Sequence, residues 1–244
     1  MLWRLFYCLT VVSKPDVITP LSKLPNFDPK RIPVIGVDAH LPAVAESSLT
    51  PDSLRQRFLQ PPAWEPELLA ERKFADRPPT NASVLIPIVM RDVPTVLLTQ
   101  RTAHLSTHSG QIAFPGGKQD EQDADLYITA LRETEEEVGL ARDFVQVLGS
   151  LPVYVTGTSF IISPVVGLVR PGFTLTPNAD EVADVFEVPL EFLMNPANHR
   201  RHAFEWEGVR REWLSMPYCD AFAERFIWGA TAGMLRNFYR FLSA

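Results

Sequence analysis

Short apolar runs rich in β-branched residues follow one another after Pro79 and predict strands. The first two, Ser83–Met90 and Val93–Gln100, are separated by a predicted turn at Arg91-Asp92. The last two flank Glu207-Gly208, which predicts a hairpin. The remaining predicted strands and the two arms of this hairpin are Gln111–Phe114, Phe144–Val155, Phe160–Val169, Val182–Val188, Ala203–Trp206 and Arg210–Met216.

Other segments carry helical signals. A cap followed by proline predicts a helix over Pro51–Leu59. A second helix is predicted over Ala124–Val138, with Asp123 as its N-cap and Gly139 as its C-terminal stop. A third is predicted over Trp228–Leu242. Helices interleaved with strands predict an α/β fold, a sandwich of helices around a mixed sheet.

The first part of the chain differs in composition. Prolines recur through residues 13–79 and exclude long helices apart from Pro51–Leu59. We therefore expect a proline-rich lead-in, residues 1–80, that wraps a core domain formed by residues 81–244. Its apolar start, Met1–Val12, is too short to span a bilayer and has no good signal-cleavage site. We expect a disordered or non-essential extension, with a weak signal sequence, an interfacial segment or a start codon assigned too far upstream as alternatives.

The negative charge of the chain is concentrated in one segment. The 244 residues carry a formal net charge of −6. Asp120–Glu137 contains eight acids and one base, about −7 by itself, which leaves about +1 for the rest. The sequence has no basic stripe of the kind that a general nucleic-acid binder needs, which argues against that class of protein. Cys8 and Cys219 have no metal-site spacing, and cysteine usage favours a reducing cytoplasm.

Three glutamates of the acidic segment predict a metal site. On a helix, Glu133 lies one turn from both Glu136 and Glu137, so the three carboxylates are expected to converge. Like charges at this spacing cost about 0.2–0.5 kcal/mol per pair, whereas Mg²⁺ or Mn²⁺ bound by carboxylates, waters and phosphates reverses that cost. Glu135 is expected to point into solvent. A salt-bridged surface helix is the alternative, but Arg132 suits Glu136 alone.

A glycine pair, Gly116-Gly117, precedes the acidic segment. Glycine permits close approach of the backbone and positive φ. Successive N–H groups at this pair are expected to face a phosphate. For two glycines taken alone, an ordinary turn is the alternative.

These residues resemble the signature of the Nudix hydrolases, Gly-x5-Glu-x7-Arg-Glu-U-x-Glu-Glu-x-Gly-U, in which U is bulky and apolar. The front half departs from this signature. Asp123 replaces its first glutamate, and eight residues, instead of seven, separate Asp123 from Arg132. Thr134 takes the first U position. With the upstream run Leu97–Gly117, this variant resembles the coenzyme A pyrophosphatase branch. The matching signature residues are Arg132, Glu133, Glu136, Glu137, Gly139 and Leu140.

The resemblance implies a Nudix α/β/α sandwich that cleaves a nucleoside diphosphate derivative by attack of water on phosphorus. It implies that Mg²⁺ or Mn²⁺ is held by Glu133, Glu136 and Glu137, and that Arg132 orients a glutamate of the signature. The general base is left open between a signature glutamate and Glu181, for which a plain surface acid is the alternative.

The branch implies coenzyme A as substrate, split into 3′,5′-ADP and 4′-phosphopantetheine or its acyl form. The 3′-phosphate requires a cationic partner, although each candidate has an ordinary structural alternative. Phe160 or Trp228 packs either against substrate or in the core. His104 and His108 are expected to be polar loop residues rather than ligands. The cationic candidates are Arg101, Lys118, His108 and, less well placed, Arg91.

Two other functions stay open. One is a Nudix hydrolase for another derivative, such as ADP-ribose, NADH or an oxidised nucleotide. The other is a catalytically silent module that only binds a nucleotide, against which the intact glutamate set argues. We expect a small-molecule substrate, no nucleic acid and no stable membrane association, and the sequence is compatible with a homodimer.

Overall fold

The computed structural model describes Leu24 and residues 27–71, 78–103 and 109–244. Met1–Val12, His104 and His108 lie outside the described residues. The helices of this part are α1 (Pro51–Leu59), α2 (Leu126–Val138), α3 (Leu190–Leu193) and α4 (Gly229–Ser243). Its strands are β1 (Val34–Val37), β2 (Thr80–Val89), β3 (Thr95–Arg101), β4 (Ile112–Ala113), β5 (Gly116–Lys118), β6 (Val145–Ser150), β7 (Tyr154–Val155), β8 (Phe160–Val169), β9 (Val182–Pro189), β10 (Arg200–Trp206), β11 (Val209–Cys219) and β12 (Glu224–Trp228).

A mixed sheet forms the centre of the fold. Its main path is β4-β3-β2-β8-β6, and β5, β7 and β9 pair with β2, β8 and β3 respectively. Side chains of β2 alternate between the two faces. Leu85 and Val89 belong to the apolar cluster that includes Ala130 of α2, whereas Ile86 belongs to the cluster that includes Phe238 of α4. Both faces are therefore buried, and the predicted α/β sandwich around a mixed sheet is confirmed.

A second, four-stranded sheet has the order β1-β10-β11-β12. The predicted hairpin between β10 and β11 is confirmed, and its turn residues Glu207 and Gly208 have φ values of 51° and 72°. Two-residue hairpin turns of type I′ need positive φ at both positions. The edge strand β1 comes from the proline-rich lead-in and pairs with β10.

Several element boundaries differ from the predictions. The single strand predicted over Phe144–Val155 is wrong, because β6 and β7 are separate strands. Pro152 lies between them and has no N–H to donate to a ladder. The short strands β1, β5 and β12 were not predicted. At α4 the structure begins and ends one residue later than predicted.

The ends of α2 also test the predictions. Asp125, not Asp123, is the N-cap, since its carboxylate accepts a hydrogen bond from the Ile128 N–H at 2.8 Å. Gly139 confirms the predicted stop, with a left-handed φ of 73°.

None of the described helices is long and apolar enough to cross a membrane.

A buried ionic cluster joins the lead-in to α4. Arg236, which is 1% exposed, donates to Glu67 at 2.7 Å and lies 3.1 Å from Asp38. Arg201 of β10 donates to the same two carboxylates. Arg236 also contacts Nδ1 of His199 at 3.1 Å, while Nε2 of that ring lies 2.8 Å from the Leu193 carbonyl. His199 is therefore held as the neutral tautomer that donates from Nε2.

Acid is expected to destabilise the fold through His199. Burial, with Arg236 beside the ring, lowers the pKa of His199 to about 4 from the ordinary 6.5. The unfolded chain thus binds a proton below pH 6.5 that the folded chain binds only below about 4, so stability falls as pH drops through this window, by about 3 kcal/mol at most. Urea unfolding at pH 7, 6 and 5 measures this slope. A His199→Gln variant with the same slope would contradict the assignment.

Candidate active site

The acidic helix packs where two strands share one edge of β2. Strand β8 occupies the other edge along its whole length. On the shared edge, β3 pairs with β2 only at Ile88 and Val89, and β5 pairs with it at Ala82, Ser83 and Val84. The strands β3 and β5 therefore form a fork. The last turn of α2 directs Glu137 towards both of them.

Glu137 is the buried acid of this fork. Glu137 is 4% exposed, and its Oε2 accepts a hydrogen bond from the Gly116 N–H at 2.9 Å. Its Oε1 lies 3.5 Å from the Thr99 hydroxyl of β3. Burial raises the pKa of Glu137 to about 7, the charges of Glu181 and Glu133 raise it further, and Gly116 and Arg101 oppose the rise. The expectation that the Gly116 N–H faces a phosphate is wrong, because this donor holds Glu137.

Glu133 lies against the other glycine of the pair. A Cβ on Gly117 would come within 2.2 Å of Glu133 Oε2, so only glycine leaves room for this carboxylate. Burial raises the pKa of Glu133, the nearby charges of Glu136 and Asp120 add to the rise, and Arg132 opposes it. The glycine pair therefore positions two carboxylates by different means, one by a hydrogen bond and the other by the absence of a side chain.

Alanine substitutions at the two glycines are expected to have different effects. Gly117→Ala displaces the flexible end of Glu133, so activity is expected to fall about a hundredfold while the melting temperature changes little. Gly116→Ala would place its Cβ 2.4 Å from the Ser83 carbonyl and 2.6 Å from Val84 Cα, so the sheet itself must shift and stability must fall. Parallel thermal melts and rate assays check this contrast. Equal loss of stability in both variants would contradict it.

Arg132 joins the acidic loop to the helix. Its Nη2 donates to Asp123 Oδ2 at 2.8 Å and to the Lys118 carbonyl at 3.1 Å, and its Nε donates to Asp123 Oδ1 at 3.0 Å. Its Nη1 donates to Glu133 at 3.1 Å and to Glu136 at 2.9 Å. One guanidinium thus orients two glutamates of the segment, which extends the expectation that Arg132 serves Glu136 alone.

Asp123 has a different role from the predicted helix cap. Its carboxyl is 4% exposed and accepts hydrogen bonds from Arg132, from the Thr129 hydroxyl at 2.9 Å and from the Asp120 N–H at 2.9 Å. The hydrogen bonds from Arg132 hold the pKa of Asp123 well below its usual range, and the Asp120 N–H adds to this effect. Asp123, which departs from the signature glutamate in type and spacing, is therefore the anchor of Arg132.

The predicted convergence of three glutamates is not present as a ready-made metal site. Glu133 and Glu136 share Arg132, whereas Glu137 turns into the fork. No group of three acidic, histidine or cysteine side chains in the described ranges is arranged to hold a metal ion. Glu135 keeps 39% of its side chain exposed, as expected, and forms a surface ion pair with Arg142 at 2.9 Å.

The donor chemistry nevertheless fits a hard divalent cation. Burial and neighbouring carboxylates both raise the pKa values of Glu133 and Glu137, so negative charge is crowded at this end of α2. A cation bound by carboxylate oxygens offsets such crowding. Glu136, whose side chain is 61% exposed, lies beside these two glutamates and accepts a hydrogen bond from Arg132 through Oε2.

Two further predicted residues lie near Glu137. Glu181 is exposed, precedes β9 and is close enough for its charge to affect the pKa of Glu137. Arg101 at the end of β3 affects the same carboxyl in the opposite direction. The buried Nε of Arg101 has no hydrogen-bond partner in the part of the chain that the structure describes. Glu181, a candidate for the general base, and Arg101, a cation, therefore lie near the fork.

The other candidates are less closely connected with it. The exposed Lys118 contributes its carbonyl to Arg132. Arg91 donates to both oxygens of Glu187 and is thus engaged in an ion pair. Phe160 begins β8 opposite Thr80. Trp228 packs in an aromatic cluster at the end of β12.

Sequence reasoning missed three elements of this site. Thr99 sits in an ordinary strand pattern, so nothing marked it as a neighbour of Glu137. The link from the Gly116 N–H to Glu137 depends on how α2 crosses β5, which spacing does not show. For Asp123, the altered spacing to Arg132 is the available signal, whereas its position just before the helix predicts a cap instead.

Comparisons with known proteins identify relatives of the chain. Residues 79–212 match the family described as NUDIX domain. An "Uncharacterized Nudix hydrolase NudL" of Citrobacter koseri is 42% identical over 193 residues, covering 78% of this chain and 94% of that protein. A Yersinia enterocolitica protein of the same description is 44% identical over 158 residues, 64% of this chain and 78% of that protein. The Caenorhabditis elegans Ap4A hydrolase structure is 18% identical, with a TM-score of 0.39, over 48% of this chain and 85% of that one.

Proposed function

Since the chain belongs to the Nudix family, we propose that it uses Mg²⁺ or Mn²⁺ to hydrolyse the diphosphate bond of coenzyme A or its derivatives. The products are 3′,5′-ADP and 4′-phosphopantetheine or its acyl form. The observation that supports the proposal best is the buried carboxyl of Glu137, which Gly116 orients and neighbouring acids surround. In the same proposal, residues 81–244 form the hydrolase domain, residues 1–80 wrap it, and the protein acts in the cytoplasm.

The residues at the fork have separate roles in the proposed reaction. Glu133 and Glu137, with Glu136 beside them, hold the metal ion, which supplies charge neutralisation of the phosphates and acidification of water. Arg132 keeps Glu133 and Glu136 oriented without touching the substrate. A water oxygen attacks phosphorus, the bridging P–O bond breaks, and the water proton goes to a carboxylate. Glu181 and the signature glutamates are the candidates for that base.

Specificity for coenzyme A is supported by sequence and by one cation. The run Leu97–Gly117 is the segment that resembles the coenzyme A branch. Arg101, within this run, carries a buried Nε without a hydrogen-bond partner among the described residues and acts electrostatically on Glu137. A guanidinium whose buried N–H group lacks a partner is suited to bind an anionic oxygen of the substrate. Arg101 is therefore the preferred phosphate partner, ahead of the exposed Lys118.

A substrate comparison tests this specificity. Purified protein with Mg²⁺ is incubated with coenzyme A, 3′-dephospho-coenzyme A, ADP-ribose or NADH, and the products are resolved by mass. Coenzyme A is expected to give the highest kcat/KM, and Arg101→Gln is expected to reduce its advantage over the 3′-dephospho form about tenfold or more. Arg91→Gln, which removes an ion-paired arginine, is the control. Equal cleavage of all four compounds would retain the Nudix chemistry and contradict the coenzyme A assignment.

A further inference from the structure

A cavity of about 290 Å³ lies between the two sheets, at the ends of β3, β4 and β12. Its lining includes the aromatic residues Phe27, Phe226 and Trp228 and the polar residues Gln100 and Gln111. Arg225 donates to the Gln100 side-chain oxygen at 3.3 Å and so fixes that amide. The cavity thus combines aromatic rings with polar residues.

The cavity lies across one strand from the fork. In β3, Thr99 faces Glu137, and the next residue, Gln100, faces the cavity on the opposite side of the sheet. The strand ends at Arg101, two residues and about 7 Å beyond Thr99. Glu137 and the cavity therefore lie on opposite faces of β3, and a ligand that occupies both the fork and the cavity must extend past the end of this strand.

The chemistry of the cavity selects among the groups of such a ligand. Its size is at the lower limit of small-molecule pockets, about 300–1,000 Å³, so it suits one ring system better than a whole coenzyme. The ionisable lining groups are Asp28, Lys30 and Glu224, two negative and one positive, which does not suit a phosphate. Stacking on aromatic faces suits every nucleobase, because each has a π-face.

The aromatic wall is built as one unit. The Phe27 ring lies 5.8 Å from the Trp213 ring and 6.3 Å from the Trp228 ring, and Trp213 and Trp228 lie 6.2 Å apart. The buried indole N–H of Trp213 has no hydrogen-bond partner in the described part of the chain. This cluster brings the lead-in, through Phe27, against the second sheet. The lead-in thereby supplies part of the cavity wall.

On these observations, and resting on the proposed function, we infer that the cavity binds the planar heteroaromatic base of a nucleotide substrate while its diphosphate lies at the fork. A flexible chain of aliphatic amides, such as the pantetheine arm, gains less from ring faces than a planar base does. The base therefore occupies this cavity, and the arm extends elsewhere. Phe27 is then a determinant of substrate affinity that lies outside the residues matched by the family.

Binding is tested on the full chain without metal, so that hydrolysis plays no part. Saturation-transfer NMR with adenosine 5′-monophosphate in EDTA is expected to show strong transfer to the base protons and weak transfer to ribose protons. Ribose 5-phosphate, which lacks the base, is expected to show little transfer. Equal transfer to base and ribose, or displacement of the nucleotide by 4′-phosphopantetheine, would overturn the assignment.

Two matched variants connect this binding to the cavity. Phe27→Ala removes a wall, and it is expected to abolish transfer to the base protons and to raise KM for coenzyme A about tenfold with little change in kcat. Phe222→Ala removes a ring that is 92% exposed and lies outside the cavity, and it is expected to match the wild type.

The two proposals fail separately. Coenzyme A cleavage with an unchanged KM in a folded Phe27→Ala variant would overturn the base site and leave the enzymatic proposal standing. Loss of base binding in Phe27→Ala, in a protein that hydrolyses nothing, would support the base site and contradict the hydrolase. Should Phe27→Ala fail to fold, the NMR comparison of the two ligands on the wild type decides the matter alone.

Discussion

Replacing Glu137 by glutamine is expected to lower kcat by at least about 10³-fold while leaving the fold intact. The amide keeps the size of the carboxyl and an oxygen that accepts from the Gly116 N–H. Its NH₂ group faces the Thr99 hydroxyl, which is able to accept. What the variant loses is the negative charge that the proposed metal ion requires. Activity and structure are therefore expected to separate at this residue.

The same substitution is expected to stabilise the metal-free protein at pH 8. The carboxyl ionises near 4.5 in the unfolded chain and near 7 in the folded one, because burial disfavours its charge. The unfolded chain releases this proton first, so stability falls as pH rises from about 4.5 to 7. Removing the charge is expected to recover up to about 3 kcal/mol at pH 8, and urea unfolding in EDTA measures it.

Glu135→Gln is the matched control for this experiment. It makes the same change on the same helix, at a residue that binds Arg142 near the surface. We expect nearly unchanged activity and a small change in stability. Comparable activity of Glu135→Gln and Glu137→Gln would contradict the special role of the buried carboxyl.

Arg132→Lys is expected to lower kcat about a hundredfold and to lower the melting temperature. A lysine ammonium cannot reproduce the five hydrogen bonds that Arg132 makes to Asp123, Glu133, Glu136 and the Lys118 carbonyl. Asp123 would lose its anchor inside the loop, and both glutamates would lose their common orientation. The loss is expected in kcat more than in KM, because Arg132 acts through the glutamates and not on the substrate.

Arg142→Lys provides the comparison. Among the described residues, the side chain of Arg142 pairs with Glu135 of α2, and it is about half exposed. Its replacement is therefore expected to leave both rate and melting temperature near the wild-type values. Steady-state kinetics and thermal melts of the two variants measure the difference. A folded Arg132→Lys variant with wild-type kcat would show that the orientation of Glu133 and Glu136 is unimportant.

The sequence predicted those parts of the fold that depend on local chemistry. The turn at Glu207-Gly208 was predictable from Gly208, because a two-residue hairpin turn needs positive φ and glycine adopts it readily. Gly139 was predictable for the same reason at a helix end. The strand β5 was missed because its pairing partner, β2, lies far earlier in the sequence. The strand β12 pairs with β11, the strand directly before it, but it has no strong apolar alternation of its own.

The candidate site was predictable in its composition but not in its contacts. Helical spacing placed Glu133, Glu136 and Glu137 at one end of α2, yet it did not show which carboxylate is buried. That depends on the fork between β3 and β5, where Gly116 donates to Glu137. Nor did spacing reveal that Arg132 pairs with Asp123 nine residues earlier. Side-chain direction in long-range contacts is set by packing, which a single sequence does not contain.

The most direct test of the account is a single assay of coenzyme A cleavage with wild-type and Glu137→Gln protein. Each is incubated with Mg²⁺ or with EDTA, and the products are identified by mass. The account predicts 3′,5′-ADP and 4′-phosphopantetheine from the wild type with Mg²⁺ and no product in the other three samples. Undiminished cleavage in EDTA, or by a folded Glu137→Gln variant with Mg²⁺, would contradict the proposed role of the acidic helix.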